Sequence, residues 1–336
     1  MLRIGTLGAA NITPRALIYP CVDEPQAFVY AIAARDRQRA AAFANAHHIP
    51  HVLDDYAQVI NHPKVNAVYN PLHIPAHKPW TLAALQAGKH VLCEKSLACN
   101  AAEARAMAQA ADQAGRVLMD AFHYRYHPIF ARAKDIYDSG ALGEIHSISA
   151  AFHIPVMDPQ DIRMNYALGG GVTMDIGCYP ISWVRHISGL EPQVLAASAE
   201  VGPPQVDVML KTELALPGGI TATTSGDMRP EARFQAFLRV QGTRGSFELV
   251  NPLVPQNGHL LRVEVDGTLT EEVCERRPSY AYQLDAFLAA VEDGASVHTD
   301  AHDGMKQMLV IDQAYAKAGL PLRGDPEVIR QIEARA

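Results

Sequence analysis

Arg3-Ile4-Gly5-Thr6-Leu7-Gly8-Ala9-Ala10-Asn11-Ile12-Thr13 is the stretch whose reading decides the fold. Residues 3–7 make a short β-rich run, and a glycine-containing turn follows at Gly8. A dinucleotide-binding turn reads Gly-x-Gly-x-x-Gly. The backbone there must approach a pyrophosphate closely, and the next helix must offer it free amides. Here Ala10 and Thr13 replace the second and third glycines, so the turn alone suits an ordinary strand-to-helix connection equally well.

The residues that follow decide between these readings. Runs at 28–33, 67–70, 90–93 and 116–119 have strand character, and Ala-rich helical stretches at 37–46, 76–87 and 101–114 separate them. Such alternation with short loops predicts a parallel sheet covered on both faces. The texture changes at residue 144. Candidate strands at 145–152, 206–216, 220–225, 235–240, 246–250 and 260–265 follow one another with few helices between. Several alternate polar and apolar residues, which predicts a mostly antiparallel sheet with one open face. One helix is expected after Gly169-Gly170-Gly171, and two more at 280–292 and 301–318. The fold class is therefore α/β. A Rossmann domain with a doubly wound parallel sheet is expected over residues 1–122, and an α+β domain with a large open sheet over residues 123–336. A chain of 336 residues is long enough for two such cores.

Composition excludes several functions. The formal net charge is −7, which disfavours nucleic-acid and anionic-membrane partners, since both need a surplus of Lys and Arg. No run of about 18 apolar residues is present to span a membrane. The five cysteines are scattered and include no C-x-x-C pair, so reduced thiols in a cytoplasmic protein are expected and a metal site is not.

The second strand run ends at Ala34-Arg35-Asp36. That end of a Rossmann strand holds the ribose of a dinucleotide. An acid there suits NAD, whereas a small residue followed by Arg suits the 2′-phosphate of NADP. Arg35 is the main candidate and Arg39 its helper, so NADP(H) is expected in preference to NAD(H). Asp36 complicates this reading. Gly8, Ala9, Ala10, Asn11 and Ile12 are the expected pyrophosphate contacts.

Three motifs together resemble the glucose-fructose oxidoreductase / inositol dehydrogenase family. They are the opening turn, Glu94-Lys95 after a strand, and Gly169-Gly170-Gly171-Val172-Thr173-Met174-Asp175-Ile176-Gly177-Cys178-Tyr179. The resemblance covers nearly the whole chain. It is nearest to the branch of dimeric dihydrodiol dehydrogenase and NADP-dependent D-xylose dehydrogenase, where Tyr stands in place of the family's usual His. Tyr124-Arg125-Tyr126-His127-Pro128 also matches that branch. The resemblance implies catalytic roles for Lys95 and Tyr179, with Asp175 near the substrate. It implies cofactor contacts from Glu94 and from the loop containing Pro71, Leu72, His73 and His77. It also implies dimers formed through the open sheet. Ser96 departs from the Pro that usually follows Glu-Lys.

The residue chemistry agrees. Oxidising an alcohol with a nicotinamide needs a base for the hydroxyl proton. Tyr179 can exchange that proton, and a nearby ammonium such as Lys95 favours its phenolate. Asp175 lies four positions earlier, on the same face of a helix. Pro180 follows and is expected to kink that helix. Arg163, Phe122, Phe152 and His153 are weaker candidates for the pocket wall. The expected substrate is an aldopyranose or a cyclic trans-diol. Two other functions fit the same fold: a cofactor-binding sensor without turnover, and a glycosidase or epimerase that retains its cofactor.

Overall fold

The opening run forms β1 (Leu2–Leu7), with Leu2, Ile4 and Leu7 almost fully buried. A strand apolar on both faces belongs inside a parallel sheet. β1 accordingly pairs in parallel with β2 (Ala27–Ala33) on one side and β4 (Ala67–Asn70) on the other. Adding β3 (His51–Val52), β5 (His90–Cys93) and β6 (Leu118–Asp120) gives the order β3-β2-β1-β4-β5-β6. The order reverses between β1 and β4. The carboxyl ends of those strands therefore flank the crevice where doubly wound sheets bind ligands.

The computed structural model describes residues 1–334. Residues 1–98, 102–123 and 278–305 form one compact unit, and residues 99–101, 124–277 and 306 onward form the other. The two units thus interleave along the chain rather than meeting at a single point near residue 122. Residues 278–305 return to the first unit because its edge strand holds them. The Asp120 amide donates to Thr299 O at 2.8 Å, and the Thr299 hydroxyl donates to Asp120 O at 2.7 Å. His123 contacts the Ser279 hydroxyl at 2.8 Å and stacks on Tyr280.

The second unit is built on an eight-stranded sheet of β7 (Ile145–His153), β8 (Gln193–Val201), β9 (Asp207–Leu216), β10 (Ile220–Asp227), β11 (Gln235–Gly242), β12 (Gly245–Val250), β13 (Leu260–Val265) and β14 (Thr268–Glu272). Their order is β14-β13-β12-β11-β7-β10-β9-β8. Every pairing is antiparallel except β7 with β10. One face, including Ile148, Ala150 and Phe152, is buried, and the helix Cys178–Ser188 packs against β7 and β10. The other face carries Ser149, Thr223 and Ser225.

β3, β8 and β14 were not expected from the sequence, and all three lie at sheet edges. An edge strand buries little, so its apolar pattern is faint; every residue of β14 but the last is exposed. The helix Pro128–Asp138 was also not expected. His127 caps it by accepting the Ile129 amide at 3.2 Å.

Candidate active site

The first unit gathers the nucleotide-side residues around the turn after β1. Gly8 has φ +85°, and a Cβ there would lie 3.0 Å from Leu72 Cδ2, so the turn needs glycine. Its amide donates to Ala33 O at 2.7 Å, which ties the turn to the end of β2. Asp36 caps the helix Arg37–Ala46, accepting the amides of Gln38 at 2.8 Å and Arg39 at 3.2 Å. One oxygen of its carboxylate, Oδ1, thus serves as the N-cap of that helix. Arg39 crosses to the turn and donates to Ala9 O at 2.8 Å. Arg37 is paired with Asp54. Arg35 is exposed and lies close enough to His73 to help lower that imidazole's pKa, after burial as the main cause.

The residues fit a dinucleotide. The turn stands at the switch point of the sheet, and its first glycine leaves no side chain in the way. The buried hydroxyl of Thr13, where the short helical turn Pro14–Ile18 begins, has no hydrogen-bond partner among the described residues.

The loop after β4 is pinned from within. Asn70 donates to His77 O at 3.2 Å and to the Thr81 hydroxyl at 3.3 Å. His77 is fully buried, with its ring nitrogens 2.8 Å from Leu72 O and 3.0 Å from Ser96 O. The ring lies between the loop and the segment after Lys95, a neutral imidazole donating to one of the two carbonyls at a time, and it offers no ring nitrogen to solvent. Burial pushes its pKa down to about 4. Glu94 accepts the Tyr69 hydroxyl at 2.7 Å. The Lys95–Ser96 peptide is cis. Asp120, at the end of the neighbouring strand, is buried, and its carboxyl group has no hydrogen bond among the described residues. Desolvation and then the charge of Asp303 push its pKa well up. Phe122 is buried in this unit.

In the second unit the triple glycine leads into a π-helical turn, Thr173–Gly177, and then the helix Cys178–Ser188. Pro180 falls in the first turn of that helix, just after the wide turn, where the missing amide breaks no regular ladder. Asp175 is ion-paired with Arg163 Nε, and Arg163 Nη1 donates to Asp161 Oδ2 at 2.8 Å. The carboxylates, Asp175 first, hold the Arg163 pKa above its usual range. Tyr179 is nearly buried, with ring centroids of Phe152, Tyr124 and Trp183 at 5.9, 6.2 and 6.3 Å. Phe152 therefore sits beside Tyr179. His153, next along β7, faces the opposite side of the sheet and contacts the Ser225 hydroxyl at 2.9 Å. A cavity of about 240 Å³ opens beside Asp175, Ile176, Arg163 and Asp161, with Ile154 to Met157 as its other wall. A wider recess of about 370 Å³ lies on the open face of the sheet, away from Asp175 and Tyr179.

Sequence reasoning missed the anchors that hold this segment. Asp207 accepts the Thr173 amide at 2.9 Å and its hydroxyl at 2.6 Å. Arg323 is ion-paired with Asp207, donates to Gly170 O at 2.6 Å and lies over the rings of Tyr315 and Tyr166. Gly171 has φ +130°, and a Cβ there would lie 2.2 Å from Asp207 Oδ1. The glycine run is thus a close-approach site for a buried ion pair. The partners stand over 100 positions apart in the chain, and no local pattern marks them.

Two family models match the chain. One, described as the oxidoreductase family with an NAD-binding Rossmann fold, covers residues 2–122, and the GFO/IDH/MocA C-terminal domain covers residues 130–248. The chain is 34% identical over 322 residues to D-xylose 1-dehydrogenase (NADP(+)) 2 of Haloferax volcanii, covering 94% of this chain and 97% of that one. Among solved structures it resembles aldose-aldose oxidoreductase from Caulobacter crescentus with a TM-score of 0.87 and 26% identity, covering 95% of this chain and 97% of the other. A 3-ketoreductase from Actinomadura kijaniata, in complex with NADP and TDP-benzene, matches with a TM-score of 0.86 and 28% identity, covering 94% and 97%. The chain belongs to the GFO/IDH/MocA oxidoreductase family, whose nucleotide-binding half is the Rossmann fold built on the Gly8 turn.

Proposed function

We propose that this oxidoreductase transfers a hydride between NADP(H) and a hydroxyl or carbonyl carbon of a sugar or cyclic trans-diol. The observation that carries the reading is the Asp175–Tyr179 segment. It bears an ion-paired carboxylate that lines a cavity and, one helical turn on, a nearly buried phenol. The naming of the Haloferax volcanii relative as an NADP(+)-dependent sugar dehydrogenase supports the substrate class and the cofactor. When bound, the nicotinamide accepts or returns the hydride.

The roles of the chain's own residues follow from their chemistry. Tyr179 takes the proton of the reacting hydroxyl, and Phe152 and Trp183 keep water from its ring. Lys95 is assigned the cationic role that favours the phenolate. Asp175, oriented by Arg163, receives hydrogen bonds from substrate hydroxyls. Gly8 through Ile12 meet the pyrophosphate, with Ala34, Arg35 and Arg39 at the 2′-phosphate. Pro71, Leu72 and His73 line the nicotinamide side, and His77 and Glu94 support that wall from behind. We further propose that the protein is a cytoplasmic homodimer formed through the open sheet face.

The test is NADP⁺ reduction by the purified protein with aldoses, inositols and trans-cyclic diols, with NAD⁺ in parallel. Turnover on one group with NADP⁺ is the expected result. Tight NADP(H) binding with no turnover on any group would sink the dehydrogenase reading and favour a sensor or a retained-cofactor enzyme.

A further inference from the structure

The cavity beside Asp175 carries information about which sugars enter it. Given the function proposed above, its lining narrows the substrate class. One wall, Ile154 to Met157, is largely apolar, and the other is Arg163 between two carboxylates. Arg163 is a fixed wall. Its amide donates to Asp161 Oδ1 at 2.9 Å, and its carbonyl accepts the Gly171 amide at 2.9 Å. Its guanidinium gives Nε to Asp175 and Nη1 to Asp161.

An arginine in a substrate pocket ordinarily selects phosphate or carboxylate, because its planar fork matches two oxygens at once. Here two carboxylates already take that fork. Asp158 adds a third acid to the lining, so the formal charge of these four side chains is −2. A phosphate would meet net repulsion there, whereas uncharged hydroxyls can both accept from the remaining N–H groups and donate to the carboxylates. Size agrees: about 240 Å³ falls below the ~300 Å³ at which pockets for drug-sized ligands begin.

We infer that Asp161 is a specificity-determining residue: by completing the Asp161–Arg163–Asp175 chain it cancels the charge of Arg163 and restricts the pocket to uncharged monosaccharides, against sugar phosphates and nucleoside-diphosphate sugars. Asp161 needs no contact with the reacting carbon to do this, since it acts through Arg163.

The test compares the full-length wild type with Asp161→Asn and Asp161→Glu, each saturated with NADP⁺. The probes are D-xylose, D-glucose, D-glucose 6-phosphate and a dTDP-hexose. Binding is measured by calorimetry and turnover by NADPH formation. Wild type is expected to bind an uncharged aldose at least tenfold more tightly than either charged probe. Asp161→Asn should shift that ratio at least tenfold toward D-glucose 6-phosphate, through KM rather than kcat, and Asp161→Glu should restore it. Tighter binding of a charged probe by wild type overturns the inference, as does an unchanged ratio in Asp161→Asn or binding of no probe at all. Selective binding of the uncharged sugar without turnover leaves the inference standing and removes the dehydrogenase reading instead.

Discussion

The turn after β1 and the turn before Tyr179 are both glycine-bearing, but they are held in opposite ways. The first is fixed by neighbours in its own βαβ unit: Gly8 to Ala33, Asp36 on its own helix, Arg39 back to Ala9. The second is fixed from far along the chain. Asp207 and Arg323 reach Thr173 and Gly170 across separations of 34 and 153 residues. A local turn survives the loss of a single neighbour, because backbone geometry largely defines it. The second turn has local backbone bonds of its own, from Gly170 to Asn165 and from Gly171 to Arg163, but its distant anchor is one buried ion pair, whose two charges stabilise each other only while both are present.

Breaking each side should show this difference, and the largest effect belongs to the chemistry on the second turn. Tyr179→Phe is expected to lower kcat about 10²–10⁴-fold, the range of a general acid–base group, while NADP(H) affinity stays nearly intact. Steady-state kinetics with fluorescence titration of NADPH measures both; equal turnover would remove Tyr179 from the mechanism. Arg323→Met should cost roughly 3–5 kcal/mol of stability by leaving Asp207 buried and unpaired. Urea unfolding measures this. A loss below 1 kcal/mol would mean that the ion pair is not the anchor of the second turn.

The next effect is a pH dependence on the first side. His77 is neutral in the folded protein, with its pKa pushed from about 6.5 down to about 4 by burial. Its contribution to stability is complete above pH 6.5 and is lost as pH falls toward 4, because the unfolded state then binds the extra proton. The full loss is roughly 3 kcal/mol. His77→Gln should flatten stability between pH 6.5 and 4 in chemical denaturation; an unchanged slope would move the titration elsewhere.

Arg35→Ala should have the smallest effect. It removes one charge-assisted contact, worth about 1.5–3 kcal/mol, and should weaken NADP roughly 10- to 100-fold while leaving NAD almost unchanged. An equal loss for both cofactors would remove Arg35 from phosphate recognition.

Legibility followed the same division. The parallel sheet could be read because its central strands are apolar runs of the right length, and the open sheet because its inner strands alternate. The edge strands β3, β8 and β14 could not, since solvent on one side erases the pattern that burial writes. Among the candidate site residues, Arg39 reaches the Gly8 turn through Ala9 O, and the charge of Arg35 acts on His73. The resemblance places His77 among the cofactor-side groups, but its ring is fully buried between two backbone carbonyls, a placement that spacing alone does not reveal.

The sequence by itself determined the α/β class, the two kinds of sheet, the position of the Gly8 turn and the family, because each is written in residues a few positions apart. Only the tertiary structure decided that Asp36 caps a helix and that residues 278–305 return to the first unit. It alone paired Arg323 with Asp207 beneath the triple glycine, and it alone committed Arg163 to two carboxylates. These are choices of partner. A charged or hydrogen-bonding side chain has many acceptors within chemical reach, and only folding brings one of them within 3 Å.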